Sequence, residues 1–199
     1  NNIITNFNTI RGVKYNLLDI SYKVFGKPLH SAPIVLVNHA LTGNSTVTGE
    51  NGWWNAIVGD QKVIDTEKYT VISIDILGNG INDNLIENYR DFSLKDIAKL
   101  HNDLLVKLDV TEIFACVGGS IGGGLGWELS VLKPNLIKYL IPIASHWQAS
   151  DWIIAHNSVQ ENILSNSIKP LEDARKMAML FYRTPQSFAE KFNLDEESL

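Results

Sequence analysis

The sequence has a single cysteine in 199 residues. Cys116 lies in a short apolar run, where a buried and inert side chain is the usual interpretation of a free cysteine and a reactive thiol the less favoured one. One unpaired cysteine excludes a disulfide scaffold, and no cysteine and histidine pair has the spacing of a zinc site, so no metal is expected. We therefore expect a cytoplasmic protein whose fold depends on its apolar core.

The chain also lacks an excess of positive charge and a long apolar run. Its 17 Lys and Arg residues against 22 Asp and Glu give a formal net charge of −5, which disfavours nucleic-acid binding. No apolar stretch approaches the roughly 20 residues of a membrane span, and residues 1–8 lack the basic and apolar parts of a signal peptide. Small-molecule substrates are therefore the expected partners, with no nucleic acid and no membrane.

Four short apolar runs are present, at residues 34–37, 69–75, 113–117 and 137–144. None alternates cleanly between apolar and polar residues, which is typical of a parallel sheet with helices packed on both faces. A helix is predicted over residues 93–108, with Ser93 and Asp96 as a capping pair. Residues 14–25 alternate enough to predict antiparallel strands ahead of the parallel ones. The pattern as a whole predicts a mixed α/β fold.

The pattern changes after residue 144. Residues 147–164 and 171–192 are helical in pattern with no strand between them, and Pro170 and Pro185 suit the first turns of helices. Such a stretch predicts an insertion above the carboxyl ends of the strands, where ligands bind in open α/β sheets. We therefore divide the chain into a core, residues 1–145, and a helical lid region, residues 146–199.

The most informative motif is Gly118-Gly119-Ser120-Ile121-Gly122, which joins the third apolar run to a predicted helix over residues 123–132. It has the pattern of a nucleophile elbow, a strained turn between a strand and a helix that exposes a serine hydroxyl. A serine in a flexible glycine hinge is the alternative. The strand and helix patterns on either side favour the elbow, and with it acyl transfer through Ser120 as the nucleophile.

An elbow serine works with two backbone N–H groups that bind the oxyanion, one after the nucleophile and one in the loop after an earlier strand. Ile121 supplies the first. The loop 38–43 follows the first apolar run and makes the Leu41 amide the candidate for the second. An ordinary strand-to-helix turn, with His39 filling a polar corner, explains that loop equally well.

A catalytic base is harder to find in the sequence. In this type of site an acid and then a histidine follow the serine, each after a later strand. His146 has no acid-bearing strand before it, and His156 shares a predicted helix with Asp151. Both histidines are better interpreted as cleft-wall or helix-surface residues, so the sequence does not predict a complete triad within this chain.

Over nearly its whole length the chain resembles the homoserine O-acetyltransferases of the α/β-hydrolase superfamily. The matching residues are Asn38-His39-Ala40-Leu41-Thr42-Gly43, Gly52-Trp53-Trp54, Ile64-Asp65-Thr66 with Tyr69, Gly118-Gly119-Ser120-Ile121-Gly122-Gly123 before Leu129, Val159-Gln160, Ala174-Arg175 and Tyr182-Arg183. Ile121 stands where the family usually has Met. The resemblance implies an α/β-hydrolase fold, with a mostly parallel sheet, helices on both faces and a helical lid insertion, whose C-terminal part is missing.

The resemblance also implies an activity and its residues. Ser120 would take an acetyl group from acetyl-CoA and pass it to the hydroxyl of homoserine, in methionine biosynthesis, while the Leu41 and Ile121 amides hold the oxyanion. Arg175 and Tyr182 match the positions that bind the substrate carboxylate. Acetyl-CoA is then a substrate and no bound cofactor is implied; a homodimer is expected from the family alone. The family's catalytic Asp and His lie beyond residue 199, and the alternatives are a carboxylesterase-like hydrolase and an inactive remnant with a binding role.

Overall fold

The computed structural model describes residues 2–80 and 85–192, in two compact units. The first unit runs to Gln148 and the second begins at Ala149. The predicted division after residue 145, and the lid role of the helical unit, stay predictions. Residues 193–199 of the predicted lid lie outside the described residues.

The strands of the first unit are β1 (Asn2–Asn8), β2 (Lys14–Ile20), β3 (Tyr22–Gly26), β4 (Ile34–Asn38), β5 (Val58–Gly59), β6 (Ile64–Asp65), β7 (Thr70–Ile74), β8 (Ile113–Gly119) and β9 (Ile137–Ile143). Its helices are α1 (Leu94–Lys107) and α2 (Ile121–Leu132). The second unit contains α3 (Asp151–Asn166), α4 (Pro170–Phe181) and α5 (Pro185–Phe192). The four predicted apolar strands are β4, β7, β8 and β9, and the predicted helices are also found.

The central sheet has five strands in the order β3-β7-β4-β8-β9. Strands β7, β4, β8 and β9 run parallel, and β3 pairs antiparallel with β7 at one edge. The predicted antiparallel strands within residues 14–25 are confirmed, although β2 pairs with β1 rather than with β3. Because β4, β7 and β8 are parallel neighbours, the loops at their carboxyl ends meet at one edge of the sheet, where ligands bind in such folds.

The two faces of the sheet are covered differently. One face carries Leu36, Ile72 and Cys116, and it packs against α1, α2 and the β1–β2 hairpin. The other face packs against the segment between β4 and β7; its buried side chains are Val35, Val37, Val71, Ala115 and Val117 from the strands and Val47, Val58 and Ile64 from that segment. The sequence predicted helices on both faces. In the described part of the first unit both helices lie on one face, because the segment between β4 and β7 forms turns and the short β5–β6 ladder instead.

Helix α1 begins as predicted. Ser93 is its N-cap, and the side chains of Ser93 and Asp96 each accept a hydrogen bond from the other residue's backbone N–H. The Asp96 carboxylate also accepts a hydrogen bond of 2.8 Å from the Ile10 N–H, which joins the β1–β2 hairpin to the start of the helix. This capping residue therefore fixes the hairpin as well as the helix.

Candidate active site

Ser120 lies between β8 and α2 in a backbone conformation that L-residues rarely adopt, with φ 54° and ψ −122°. Its N–H donates to the Ile143 carbonyl at 2.9 Å, which continues the β8–β9 ladder up to the serine. The residue is exposed, and its side chain does not cap the helix. The chain thus holds a strained, open serine at the carboxyl end of β8, and the predicted elbow is present.

The glycines around Ser120 are required by close backbone approaches. A Cβ at Gly118 would lie 2.4 Å from the Gly122 carbonyl group, and a Cβ at Gly122 would lie 2.5 Å from the Asn38 carbonyl oxygen. A Cβ at Gly123 would lie 2.6 Å from the Cβ of Ser145. A Cβ at Gly119, in contrast, would have no atom within 4 Å. The sharp turn and its contact with the β4 loop therefore depend on positions 118, 122 and 123.

The loop after β4 is fixed to the first turn of α2. The Asn38 side chain is buried, and its Nδ2 donates to the Gly122 carbonyl at 3.2 Å and to the Cys116 sulfur at 3.5 Å. The His39 carbonyl oxygen would be 2.6 Å from a Cβ at Gly122. The Asn38–His39 backbone is therefore packed against the first turn of α2.

The two predicted oxyanion donors are available for a ligand. Within residues 2–80 and 85–192, neither the Leu41 nor the Ile121 amide donates to a protein acceptor. Leu41 is 70% exposed, and Ile121 is the first residue of α2, where the helix dipole favours negative charge. Backbone N–H groups without a protein acceptor are the kind of donor that an oxyanion hole requires. The catalytic roles of Ser120 and these two amides stay predictions.

A buried polar cluster lies beneath this loop. The Asp75 carboxylate follows β7 and accepts hydrogen bonds from the Ser21 hydroxyl at 2.6 Å, from the Ser45 N–H and hydroxyl at 2.7 and 2.8 Å, and from the Asn79 amide at 3.1 Å. Burial raises the pKa of Asp75, but the hydrogen bonds from Ser21 and Ser45 outweigh it and lower the pKa below its usual value. The carboxylate is therefore ionised at neutral pH and holds three segments of chain together.

Two histidines belong to the same cluster. His39 is fully buried, with its Nε2 4.0 Å from an Asp75 oxygen, and burial lowers its pKa against smaller opposing effects of the Ala40 carbonyl and Asp75. Burial, and to a lesser degree His39, lower the pKa of His101 on α1 to about 3. Both rings are therefore neutral at pH 7. Neither is exposed to a substrate.

The two histidines that follow Ser120 in the sequence have other neighbours. Nδ1 of His146 lies 2.9 Å from the Gln148 carbonyl oxygen, and the ring is exposed. His156 lies on α3 in the second unit and packs against Phe181, with ring centroids 4.0 Å apart and the ring planes tilted by 52°. Within the described part of the first unit no hydrogen bond joins a histidine to Ser120. The absence of a triad base from this chain stays a prediction.

Arg175 and Tyr182 belong to the second unit. Arg175 lies on α4 and is exposed, and Tyr182, the C-cap of that helix, is 80% exposed. Neither side chain is engaged by another described residue, so both are free to meet a ligand. Their role in binding a carboxylate stays a prediction.

Two other kinds of site are absent from the described residues, a membrane span and a metal centre. No helix there has the length and apolar character to cross a bilayer. Nor does that part of the chain bring three potential His, Cys, Asp or Glu ligands together around a metal position.

The sequence analysis missed the contribution of three residues. Asn38, His39 and Asp75 all lie directly at the carboxyl ends of β4 and β7, and all are buried. Polar residues that end apolar strands at the ligand-binding edge were the available signal. Their partners lie 30 or more residues away along the chain, at Gly122, Ile76 and Ser45, so the contacts themselves could not be predicted from local pattern.

Comparisons with known proteins agree with this geometry. Residues 33–198 match the family model described as alpha/beta hydrolase fold. A homoserine O-acetyltransferase of Nautilia profundicola is 31% identical, over 80% of this chain and 53% of that protein. The crystal structure of a homoserine O-acetyltransferase from Staphylococcus aureus superimposes with a TM-score of 0.80 at 26% identity, over 96% of this chain and 60% of that one.

The crystal structure of an esterase, E22, superimposes with a TM-score of 0.84 at 21% identity, over 96% of this chain and 63% of the esterase. At that identity the likeness concerns the fold alone. The chain spans about half the length of the curated relatives it matches.

Proposed function

Because the chain belongs to the α/β-hydrolase fold family, we propose that it carries the nucleophile and oxyanion hole of an acyltransferase that acetylates homoserine from acetyl-CoA. The observation that carries the proposal is the strained Ser120 beside two free backbone amides, in a loop and elbow whose sequences resemble the homoserine O-acetyltransferases. The curated relatives with that name support the choice of acyl donor and acceptor.

In the first half-reaction the Ser120 hydroxyl attacks the thioester carbonyl of acetyl-CoA. The new oxygen–carbon bond forms first and gives a tetrahedral intermediate with its charge on the former carbonyl oxygen. Collapse of this intermediate breaks the carbon–sulfur bond, and coenzyme A leaves as the thiol with the serine's proton. The Leu41 and Ile121 amides would stabilise the negative charge on the carbonyl oxygen, aided by the α2 dipole. In the second half-reaction the homoserine hydroxyl attacks the acyl-serine, O-acetylhomoserine leaves, and the proton returns to Ser120.

The acceptor needs a group that holds an amino-acid carboxylate. Arg175 offers a planar guanidinium with paired donors that suit this ion, and its exposed position on α4 leaves those donors free. Tyr182 follows seven residues later, two helical turns along, and would add a hydroxyl donor. We infer that Arg175 and Tyr182 bind the homoserine carboxylate.

Both half-reactions need a base that moves the Ser120 proton. We infer that this base and its acid partner come from residues outside this chain, since the curated relatives are about twice as long as the stretch it matches. Acetyl-CoA and homoserine are the small-molecule partners of this proposal. A homodimer and a cytoplasmic location remain expectations from the family.

The test uses the full-length product of the natural gene, supplied with acetyl-CoA and homoserine. We expect thiol release together with O-acetylhomoserine detected by mass spectrometry, and neither with Ser120→Ala. Free acetate as the sole acyl product would replace the transferase proposal with hydrolysis. Thiol release that Ser120→Ala leaves unchanged would favour an inactive remnant with a binding role. Succinyl-CoA and serine, each tested in competition, determine donor and acceptor preference.

Arg175→Ala tests the acceptor site separately. It should raise the KM for homoserine by a factor on the order of 10 to 100, the effect of losing a charged hydrogen bond, and leave acylation by acetyl-CoA unchanged. Lys176→Ala is the matched control, because it removes the same charge one residue on, where the ammonium is engaged by Glu172 at 2.8 Å. Equal effects of the two variants would refute a specific role for Arg175.

A further inference from the structure

The His39 ring is held by two hydrogen bonds of opposite kind. Its Nδ1 lies 2.7 Å from the Ala40 carbonyl oxygen, and its Nε2 lies 3.0 Å from the Ile76 amide nitrogen. A carbonyl oxygen can only accept and an amide N–H can only donate. The proton of the neutral ring is therefore on Nδ1, and the Nε2 lone pair is occupied by the Ile76 N–H.

The Ala40 carbonyl belongs to the peptide unit that contains the Leu41 N–H. It accepts from His39 on one side and from the Gly43 N–H, at 2.9 Å, on the other, which closes a tight turn with Leu41 at its corner. The peptide is trans, so its C=O and N–H point in opposite directions. Holding the carbonyl inward against the His39 ring therefore turns the Leu41 N–H outward.

The loop that carries Leu41 packs against the helix that follows the nucleophile. The His39 and Asn38 carbonyl oxygens lie against the first turn of α2, where a Cβ at Gly122 would meet them at 2.5 to 2.6 Å. The same loop exposes Leu41. Leu41 therefore lies two residues after a backbone contact with the first turn of α2, which begins at the residue after Ser120.

We propose that His39 is a positioning residue of the oxyanion hole, which orients the Ala40–Leu41 peptide through its Nδ1–H and so aims the Leu41 N–H at the carbonyl undergoing attack. The inference rests on the proposed acyl-enzyme chemistry but is common to transferase and hydrolase. The Ile76 N–H has a supporting part, because it fixes the ring's tautomer and angle, as outer partners do for catalytic and metal-bound histidines.

His39 cannot act as the base itself. Its Nε2 lone pair is occupied, its Nδ1 proton is donated to its own backbone neighbour, and the ring is fully buried. A purely structural role is the competing explanation. That explanation predicts that any variant weakens folding and activity together, whereas orientation of one N–H affects the rate of acylation more than substrate binding.

Two amide variants separate these explanations in the full-length protein. His39→Asn keeps a donor near the Nδ1 position and loses the Ile76 bond, whereas His39→Gln moves the amide outward toward Ile76 and loses the Ala40 bond. The probe is single-turnover acylation of Ser120 by p-nitrophenyl acetate, followed by nitrophenolate release. We expect the Asn variant to remain within about tenfold of the wild-type acylation rate, and the Gln variant to fall about 100-fold, as for loss of an oxyanion donor.

In both variants the KM for the ester should change less than about threefold. The urea midpoints of the two variants should agree, because each variant loses one of the two hydrogen bonds that the His39 ring makes. Equal acylation rates for the two variants, or a better rate with Gln, would overturn the inference. If both variants fail to fold, nitrogen NMR of the wild-type imidazole decides: an Nδ1–H tautomer supports the inference and an Nε2–H tautomer overturns it.

The outcomes also separate this inference from the proposed function. A wild-type protein that is acylated at Ser120 but releases only acetate refutes the transferase, and the His39 comparison still applies. A wild-type protein that is not acylated overturns both.

Discussion

Because the backbone at Ser120 is strained, a glycine there should stabilise the folded protein relative to an alanine, which is opposite to the usual effect of glycine on stability. At φ 54° and ψ −122° a side chain is disfavoured by about 1 to 3 kcal/mol. Ser120→Gly removes that strain, and Ser120→Ala keeps it. Glycine costs about 0.5 to 1 kcal/mol through the greater freedom of the unfolded chain. We therefore expect Ser120→Gly to be more stable than Ser120→Ala by about 1 kcal/mol.

Urea unfolding of the two variants measures this difference in stability. In thermal unfolding each kcal/mol corresponds to about 2 to 4 °C, so the Gly variant should have the higher Tm by about that amount. Neither variant forms an acyl-enzyme, so a covalent intermediate does not complicate the comparison. The matched control is the same pair of changes at Ser130, within α2, whose hydroxyl donates to the Gly126 carbonyl at 2.8 Å. There Gly should be the less stable by about 1 kcal/mol. A Ser120→Gly protein that is less stable than Ser120→Ala would refute the strain.

Three further predictions concern the surroundings of the elbow. Gly122→Ala should destabilise the protein by more than about 2 kcal/mol in urea unfolding, because its Cβ would lie 2.5 Å from the Asn38 carbonyl oxygen. Gly119→Ala is the control and should be tolerated, because no atom lies within 4 Å of its Cβ position. Similar losses of stability in the two variants would contradict the contact at Gly122. His101 has a folded pKa of about 3 against an ordinary value of 6.5, so protons bind the unfolded chain first as the pH falls below 6.5. The neutral His101 ring makes its full contribution to the free energy of unfolding above pH 6.5, and about 2 kcal/mol of it is lost by pH 5. His101→Leu should therefore unfold with a flatter dependence of stability on pH. An unchanged pH dependence in this variant would refute the lowered pKa of His101. Burial raises the pKa of the Cys116 thiol to about 12, so iodoacetamide should label it in urea but not in the native protein, and rapid native labelling at pH 8 would contradict this.

The sequence predicted the parallel strands from their continuous apolar runs. In β4, β7 and most of β8 the run reflects burial on both faces, whereas β9 keeps an apolar run although Tyr139, Ile141 and Ile143 are exposed. Strand β1 escaped prediction for a local reason. Asn6 has a φ of 56°, and the β1–β2 pairing is interrupted there although its register continues in step from Thr5 to Phe7. The buried residues on either side, Ile4 and Phe7, are three positions apart. The alternation that marks a half-buried strand is lost there.

The candidate site also has a part that the sequence could predict and a part that it could not. Ser120 and its glycines could be predicted because the elbow is a local device, in which strand, turn and helix follow each other directly. The orientation of the Leu41 N–H could not, because it depends on an imidazole held by Ile76, 37 residues further along the chain. Sequence alone left the loop balanced between an ordinary turn with His39 in a polar corner and an oxyanion loop. The hydrogen bonds of both ring nitrogens support the second interpretation, which stays a proposal.

The contact between Gly122 and the β4 loop sets a limit on how the site could be transplanted. The Asn38 side chain donates to the Gly122 carbonyl, while the Asn38 and His39 carbonyl oxygens occupy the space that any side chain at position 122 would need. An elbow grafted alone onto another parallel sheet would carry the glycine but not the backbone that requires it. The smallest unit that could be transferred to another protein is therefore a pair of neighbouring strands with both their loops. An engineered site should include the two loops together.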